Sequence, residues 1–265
     1  MSHYLIEKDF DKGIKTGIDF GEVEGWSTTS PSLGIDIPGV TKKQAKTSEG
    51  YYFTPTYFPS KSMDTGTTSF TQANGPLLPH SNEDLGRGTA FGLSVGKYLT
   101  DNFRLEMEAI KRTGYNYDTA RIDQPIRISK ADIETHALFI NGFYDFQPFT
   151  ISNTPITPYL GGGIGVSRNK MGSVSRTDRA GDITRLIDGT SINEFAYKLS
   201  AGTLFSLTEN IYLDVNYQYV NLGAFKSKTR IVRVSDGTEA DALLKGYNGG
   251  DIKTQELTVA LQVLF

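Results

Sequence analysis

Apolar and polar positions alternate with a period of two along several stretches of this chain, most plainly in the last fourteen residues. In Ile252–Phe265, Leu257, Val259, Leu261, Val263 and Phe265 fall on one face, and Glu256, Thr258, Ala260 and Gln262 on the other. That pattern predicts a two-faced strand long enough to span a bilayer when tilted. Ile211–Asn221 repeats it, with Ile211, Leu213, Val215, Tyr217 and Tyr219 against Tyr212, Asp214, Asn216 and Gln218. So does Phe103–Arg112, where Phe103, Leu105, Met107 and Ala109 alternate with Arg104, Glu106 and Glu108.

Five further segments bring the predicted strands to eight: Gly50–Phe58, Gly88–Tyr98, Thr135–Phe146, Pro158–Ser167 and Phe195–Leu207. Phe139 and Phe143 blur the polar face of the third of these, and Pro55 weakens the interior of the first. The links alternate in length. Those after Tyr98 and Leu207 are tight turns, and the one after Phe146 is intermediate. Ser60–Arg87, Thr113–Lys130, Arg168–Glu194 and Leu222–Asp251 are long and polar. A compact soluble domain seldom carries four such structureless loops. Short turns on one rim and long loops on the other are what an outer-membrane barrel uses. The expected fold is therefore all-β: an eight-stranded antiparallel up-and-down transmembrane barrel over residues 50–265, with both its ends on the periplasmic side. Residues 1–49 stand apart as an N-terminal periplasmic or plug-like extension. Were that segment to add a hairpin and make ten strands, Gly13–Phe20 is the candidate.

Composition narrows the choice. The 27 basic and 30 acidic residues give a net charge of −3, which argues against nucleic acid as a partner. The 28 glycines follow no triplet period, so collagen is excluded. With no cysteine and only His3, His80 and His136, a disulfide scaffold, a thiolate zinc site and a histidine cluster are all disfavoured. No apolar run approaches the ~18 residues of a transmembrane helix. The N-terminus shows no signal peptide, leaving either a cytoplasmic protein or a mature chain numbered after its signal was removed or replaced. A mean hydropathy of −0.32 reads as soluble, but also suits a barrel with a polar lumen.

Certain segments carry a family resemblance: Gly-Tyr-Tyr-Phe-Thr-Pro-Thr-Tyr-Phe-Pro-Ser (50–60), Asn-Phe-Arg-Leu-Glu-Met-Glu (102–108), Asn-Gly-Phe-Tyr-Asp-Phe (141–146), Thr-Pro-Tyr-Leu-Gly-Gly-Gly-Ile-Gly (157–165) and terminal Phe265. In order and spacing the chain from residue 50 resembles the opacity-type and rickettsial-type surface antigens, eight-stranded barrels of the bacterial outer membrane. Residues 1–49 depart from that pattern. The terminal run Leu257, Val259, Leu261, Val263 and Phe265 resembles the C-terminal signal that engages the β-barrel assembly machinery.

Charged side chains on strands should point inward, because in hydrocarbon they cost up to ~2–4 kcal/mol. Arg104, Glu106, Glu108, Lys198 and Asp214 are thus expected to form a lumenal polar network, with Asp145 on a matching face. Glu106 and Glu108 as paired catalytic acids are rejected because no cleft surrounds them. His136 lacks a Ser or acid partner in a recognisable motif and reads as an interfacial histidine. The run Gly161–Gly165 has no phosphate-loop spacing, and its glycines mark bends or aromatic packing. Tyr51, Tyr57, Tyr98, Tyr144, Tyr159, Tyr197, Tyr212 and Tyr219 are read as interfacial girdles. Trp26 has no assigned role.

No cofactor is expected. Outer-membrane lipid and the assembly machinery are expected partners, with host or neighbouring surface proteins meeting the loops. The favoured function is a non-enzymatic surface antigen, adhesin or packing surface. A small diffusion pore is the alternative, and a lipid-modifying enzyme or a lipocalin-like carrier stands further behind.

Overall fold

The computed structural model describes residues 50–63, 65, 68–72, 77–81, 85–121, 124–152, 154–178, 180–239 and 244–265. The extension over 1–49, including Gly13–Phe20 and Trp26, lies outside them. Eight strands close a barrel: β1 (Tyr51–Ser62), β4 (Arg87–Tyr98), β5 (Phe103–Arg121), β6 (Gln124–Asp145), β8 (Thr154–Met171), β10 (Ile183–Ser206), β11 (Ile211–Asn221) and β14 (Lys253–Leu264). Each pairs antiparallel with the next, and β14 pairs with β1. Phe53 leads through register partners Val95, Met107, Ile140, Ile164, Tyr197, Asn221 and Lys253 to Met63, ten residues further along the chain and just past the end of β1. A stagger of that size goes with strands tilted ~35–45°.

The barrel is apolar outside and polar inside. Val259 is 55% exposed and Leu261 also faces out, while Glu106 is 8% exposed and Arg104 is buried. A soluble barrel would show the reverse. The strand faces follow the period-two reading, including Phe139 and Phe143, which point inward and are buried.

Among the described residues all four long links contain β structure, contrary to the expectation of structureless loops. β5 and β6 continue as a hairpin to Arg121 and Gln124. β2 (Thr68–Gln72), β3 (Leu77–Ser81), β9 (Val174–Thr177), β12 (Ser227–Arg233) and β13 (Leu244–Asn248) occupy the others. β7 (Phe149–Ile151) forms a small hairpin with β8 on the opposite rim. In β5 the reading stops at Arg112 because a bulge shifts the register between Arg112 and Tyr115. Gly114 takes the positive φ of 84° there, and the inward phase moves from Arg112 to Tyr115 and Tyr117. Asp188-Gly189, in the link Arg168–Glu194 expected to be loop, lies inside β10 at another shift.

Pro55 sits inside β1 after all. Along β1 the backbone groups alternate between neighbours. Gly50 and Ser62 bond towards β4, whereas Tyr51 and Met63 bond towards β14. Pro55 and Pro59 share the phase of Tyr51, so both donors they lack would have faced β14. The β1–β14 ladder runs from Tyr52↔Leu264 to Phe53↔Val263, then resumes in the same register at Lys61↔Gln255. Both prolines lie in the gap. Changing Pro55 and Pro59 together to alanine should restore up to two seam donors, worth ~0.5–1.5 kcal/mol each. The conversion temperature of the folded band on heat-modifiability gels should rise; an unchanged temperature would assign the gap to another cause.

Candidate functional site

The lumen is built in levels, each from side chains on the inward phase of several strands. At the periplasmic end Arg104 of β5 donates to Asp145 (3.0 Å) and to Gln262 (3.2 Å), which in turn donates to the Tyr98 hydroxyl (3.0 Å). Its guanidinium lies 4.3 Å from the ring centre of Phe143 and 4.4 Å from that of Tyr159. Both are cation–π distances. The Tyr159 hydroxyl donates to Asp214 (2.7 Å).

Half-way up, Asn141 donates to Glu106 (3.0 Å) and Glu108 (3.2 Å), and Lys198 forms an ion pair with Glu108. Above them Arg112 grips Glu256 with two hydrogen bonds, at 2.7 and 3.0 Å. Glu256 also accepts from Gln218 (2.6 Å), Thr254 (3.0 Å) and Ser60, and Ser60 contacts the Tyr115 hydroxyl.

The five lumenal residues expected from the sequence therefore all lie inside the barrel, but not as one bonded cluster. Lys198 meets Glu108, and Asn141 bridges Glu108 to Glu106. Arg104 instead takes Asp145, and Asp214 takes Tyr159. The Arg112–Glu256 pair was missed as a site, although both residues sit on the charged phase of predicted strands, the same signal that singled out Arg104.

Between the levels a space of about 30 Å³ remains, lined by Thr54, Ser94, Glu106, Lys198, Asp214 and Thr258 among others. That is room for about two waters. Chain from the link after β11 packs into the outer mouth. Leu222 and Phe225 are buried, and the Leu222 carbonyl accepts from Asn169 (2.7 Å) and from Ser167, both on the inward face of β8. The Phe225 ring stands edge-on to Tyr117 at 5.5 Å.

The glycine run makes room for rings and side chains of the adjacent strand. A Cβ on Gly161 would strike Phe143, one on Gly163 would strike Asn141, and one on Gly165 would meet the β6 backbone and Phe139. Gly96 accommodates Tyr52 and Gly202 accommodates Tyr159 in the same way. The girdle reading needs correcting here. Tyr98, Tyr159 and Tyr212 are buried in the lumen floor, while Tyr51, Tyr57, Tyr144 and Tyr197 do face outward.

On the outer wall, Leu257, Val259 and Leu261 are exposed, Val263 is half-buried, and Phe265 is 71% exposed. The Phe265 ring stacks on Tyr51 (6.3 Å) and its N–H donates to the Tyr51 carbonyl (2.9 Å). The chain end is thus tied to the first strand. His136 faces outward, 3.3 Å from Glu134, which also pairs with Lys111 at 2.9 Å. Among the described residues no group of three His, Asp or Glu side chains is arranged to hold a metal.

The sequence profile of the "Outer membrane protein beta-barrel domain" matches residues 40–265. The chain is 26% identical over 141 residues to outer membrane protein PagN of Salmonella typhimurium, covering 50% of this chain and 56% of that protein. It is 25% identical over 114 residues to a Rickettsia conorii protein whose name carries the word adhesin, covering 42% and 44%. The chain thus spans about half the length of these relatives. The crystal structure of OprG from Pseudomonas aeruginosa superposes with a TM-score of 0.55 at 14% identity, over 82% of this chain and 96% of that one, and shares the fold. These matches place the protein in the bacterial outer membrane.

Arg112→Leu leaves Glu256 buried without its cation and should cost ~3–5 kcal/mol of stability in urea unfolding from detergent or lipid. Arg112→Leu with Glu256→Leu should recover most of that loss. A double variant as unstable as the single one would show that packing, rather than an orphaned charge, sets the cost.

Proposed function

This chain belongs to the outer membrane protein beta-barrel domain family, and we propose that it is a non-enzymatic surface protein that adheres through its outer rim to host or neighbouring surface proteins. The observation that supports this reading most is the filled lumen. Paired charges occupy its length and Leu222 with Phe225 cover its mouth, so transport through the barrel is disfavoured. Meanwhile the β5–β6 hairpin continues well beyond the bulge at Gly114, to residues 121 and 124, and offers ordered backbone for contact. The adhesin name of one relative points the same way.

The test expresses the full chain, and a variant with residues 116–130 replaced by a short turn, in a non-adherent bacterium. The trimmed barrel should remain heat-modifiable while adherence to cultured cells drops to background. Undiminished adherence would remove the rim from the proposal, and general-porin conductance in planar bilayers would favour the pore.

The β-barrel assembly machinery is the second proposed partner, through Leu257, Val259, Leu261, Val263 and Phe265. An unpaired edge strand can be templated by another sheet. Deleting Phe265 should lower assembled protein in cells while leaving refolding into detergent little changed. Equal loss in both assays would make Phe265 a packing residue for Tyr51 and not a signal.

A further inference from the structure

A groove of about 700 Å³ lies on the membrane-facing side of β4, β5, β6 and β8. Its volume falls in the ~300–1,000 Å³ range of small-molecule sites. The floor is low because Ala109 stands where its neighbours carry larger groups. Leu93 flanks it on β4, and Leu138 and Val166 flank it on β6 and β8. These outward groups belong to the apolar band, so the groove opens into hydrocarbon.

Directly above, one register row carries Phe91, Lys111, His136, Arg168 and Asn193 on consecutive strands, and the next row up sets Glu134 opposite Lys170. Three fixed cations, Lys111 on β5 and Arg168 and Lys170 on β8, therefore flank β6. One carboxylate lies among them. Glu134 is engaged by Lys111 (2.9 Å) and sits 3.3 Å from His136. Arg168 and Lys170 are exposed and make no ion pair among the described residues. At the same row β1 and β4 present Tyr57 and Phe91, so the positive charge is local to the groove.

We infer that this is a binding site for an outer-leaflet lipid with a bisphosphorylated sugar headgroup, one of its acyl chains lying in the groove and its phosphates on Arg168, Lys170 and Lys111. The wall favours such a lipid on two counts. Adjacent strands lie ~4.8 Å apart, so Lys111 and Arg168, two strands apart, are separated by ~10 Å at their backbones. That is wider than one phosphate and suits a headgroup with two. The cations also lie on the long-loop side, where the outer leaflet is. Arginine and lysine at this level gain from charge-assisted bonds to phosphate oxygens.

The experiment titrates the full-length barrel in dodecyl-maltoside micelles with hexa-acylated bisphosphorylated lipid A, and with phosphatidylglycerol, reading bound lipid by native mass spectrometry. Lipid A should bind at least tenfold more tightly than phosphatidylglycerol. Arg168→Gln with Lys170→Gln should weaken lipid A at least tenfold while the lipid-free conversion temperature stays unchanged, since both side chains are exposed. Ala109→Trp, which fills the groove floor, should weaken it too. Equal affinity for the two lipids would overturn the assignment in favour of an ordinary phospholipid annulus. Undiminished lipid A binding by Arg168→Gln/Lys170→Gln would overturn it outright.

Discussion

Everything in this barrel depends on one requirement: charges carried by membrane-crossing strands must find partners inside a lumen too narrow for bulk water. Eight strands with a ten-residue stagger enclose a space that side chains fill. A lone buried charge there is far costlier than a paired one. Hence Arg104 has Asp145 at hand, Lys198 has Glu108 and Arg112 has Glu256. Spare carboxylate oxygens accept from Asn141, Gln218 or Thr254. Volume obeys the same requirement. Glycines on β4, β8 and β10 stand beside Tyr52, Phe143 and Tyr159, so large rings lie flat against the wall and still leave room for a guanidinium between them.

Closure imposes a second requirement, since the first and last strands must satisfy each other. Here the molecule is uneven. β4 matches β1 without a break from Tyr51 to Lys61, while the β14 ladder is interrupted where Pro55 and Pro59 face it. A proline in a closed barrel makes a local edge where topology has removed the others. The seam is held at its two ends, and at the periplasmic one Phe265 adds its ring and N–H to Tyr51.

How much of this was legible in the sequence follows from where period two survives. On the eight spanning segments it holds, so strand number, orientation and the inward placement of Arg104, Glu106, Glu108, Lys198 and Asp214 could be read from residue parity alone. It fails at Gly114, where one extra residue swaps the faces, and the ordered hairpin beyond looked like loop. Partner choice was not legible. Parity puts Arg104 and Glu106 on the same face, but register decides that Arg104 meets Asp145 and stacks on Tyr159. Tyrosines near strand ends were equally ambiguous, because a ring suits the interface or the lumen floor, and only its parity separates Tyr98 from Tyr51.

A lumen of hydrocarbon side chains would have avoided the buried ion pairs, so the polar filling needs its own reason. Paired buried charges are often no more stabilising than apolar groups of similar size. Before insertion, however, each strand is exposed to water. A chain apolar on both faces of eight strands would present long uncharged β-prone runs, the composition that aggregates. Placing Arg104, Glu106 and Glu108 between Phe103, Leu105, Met107 and Ala109 breaks such a run at every second residue. The mean hydropathy of −0.32 follows from that interruption. The ion pairs are then what closure must do with charges the unfolded chain required. A lumen filled on those terms leaves about 30 Å³ between its levels, little space for a solute beyond water.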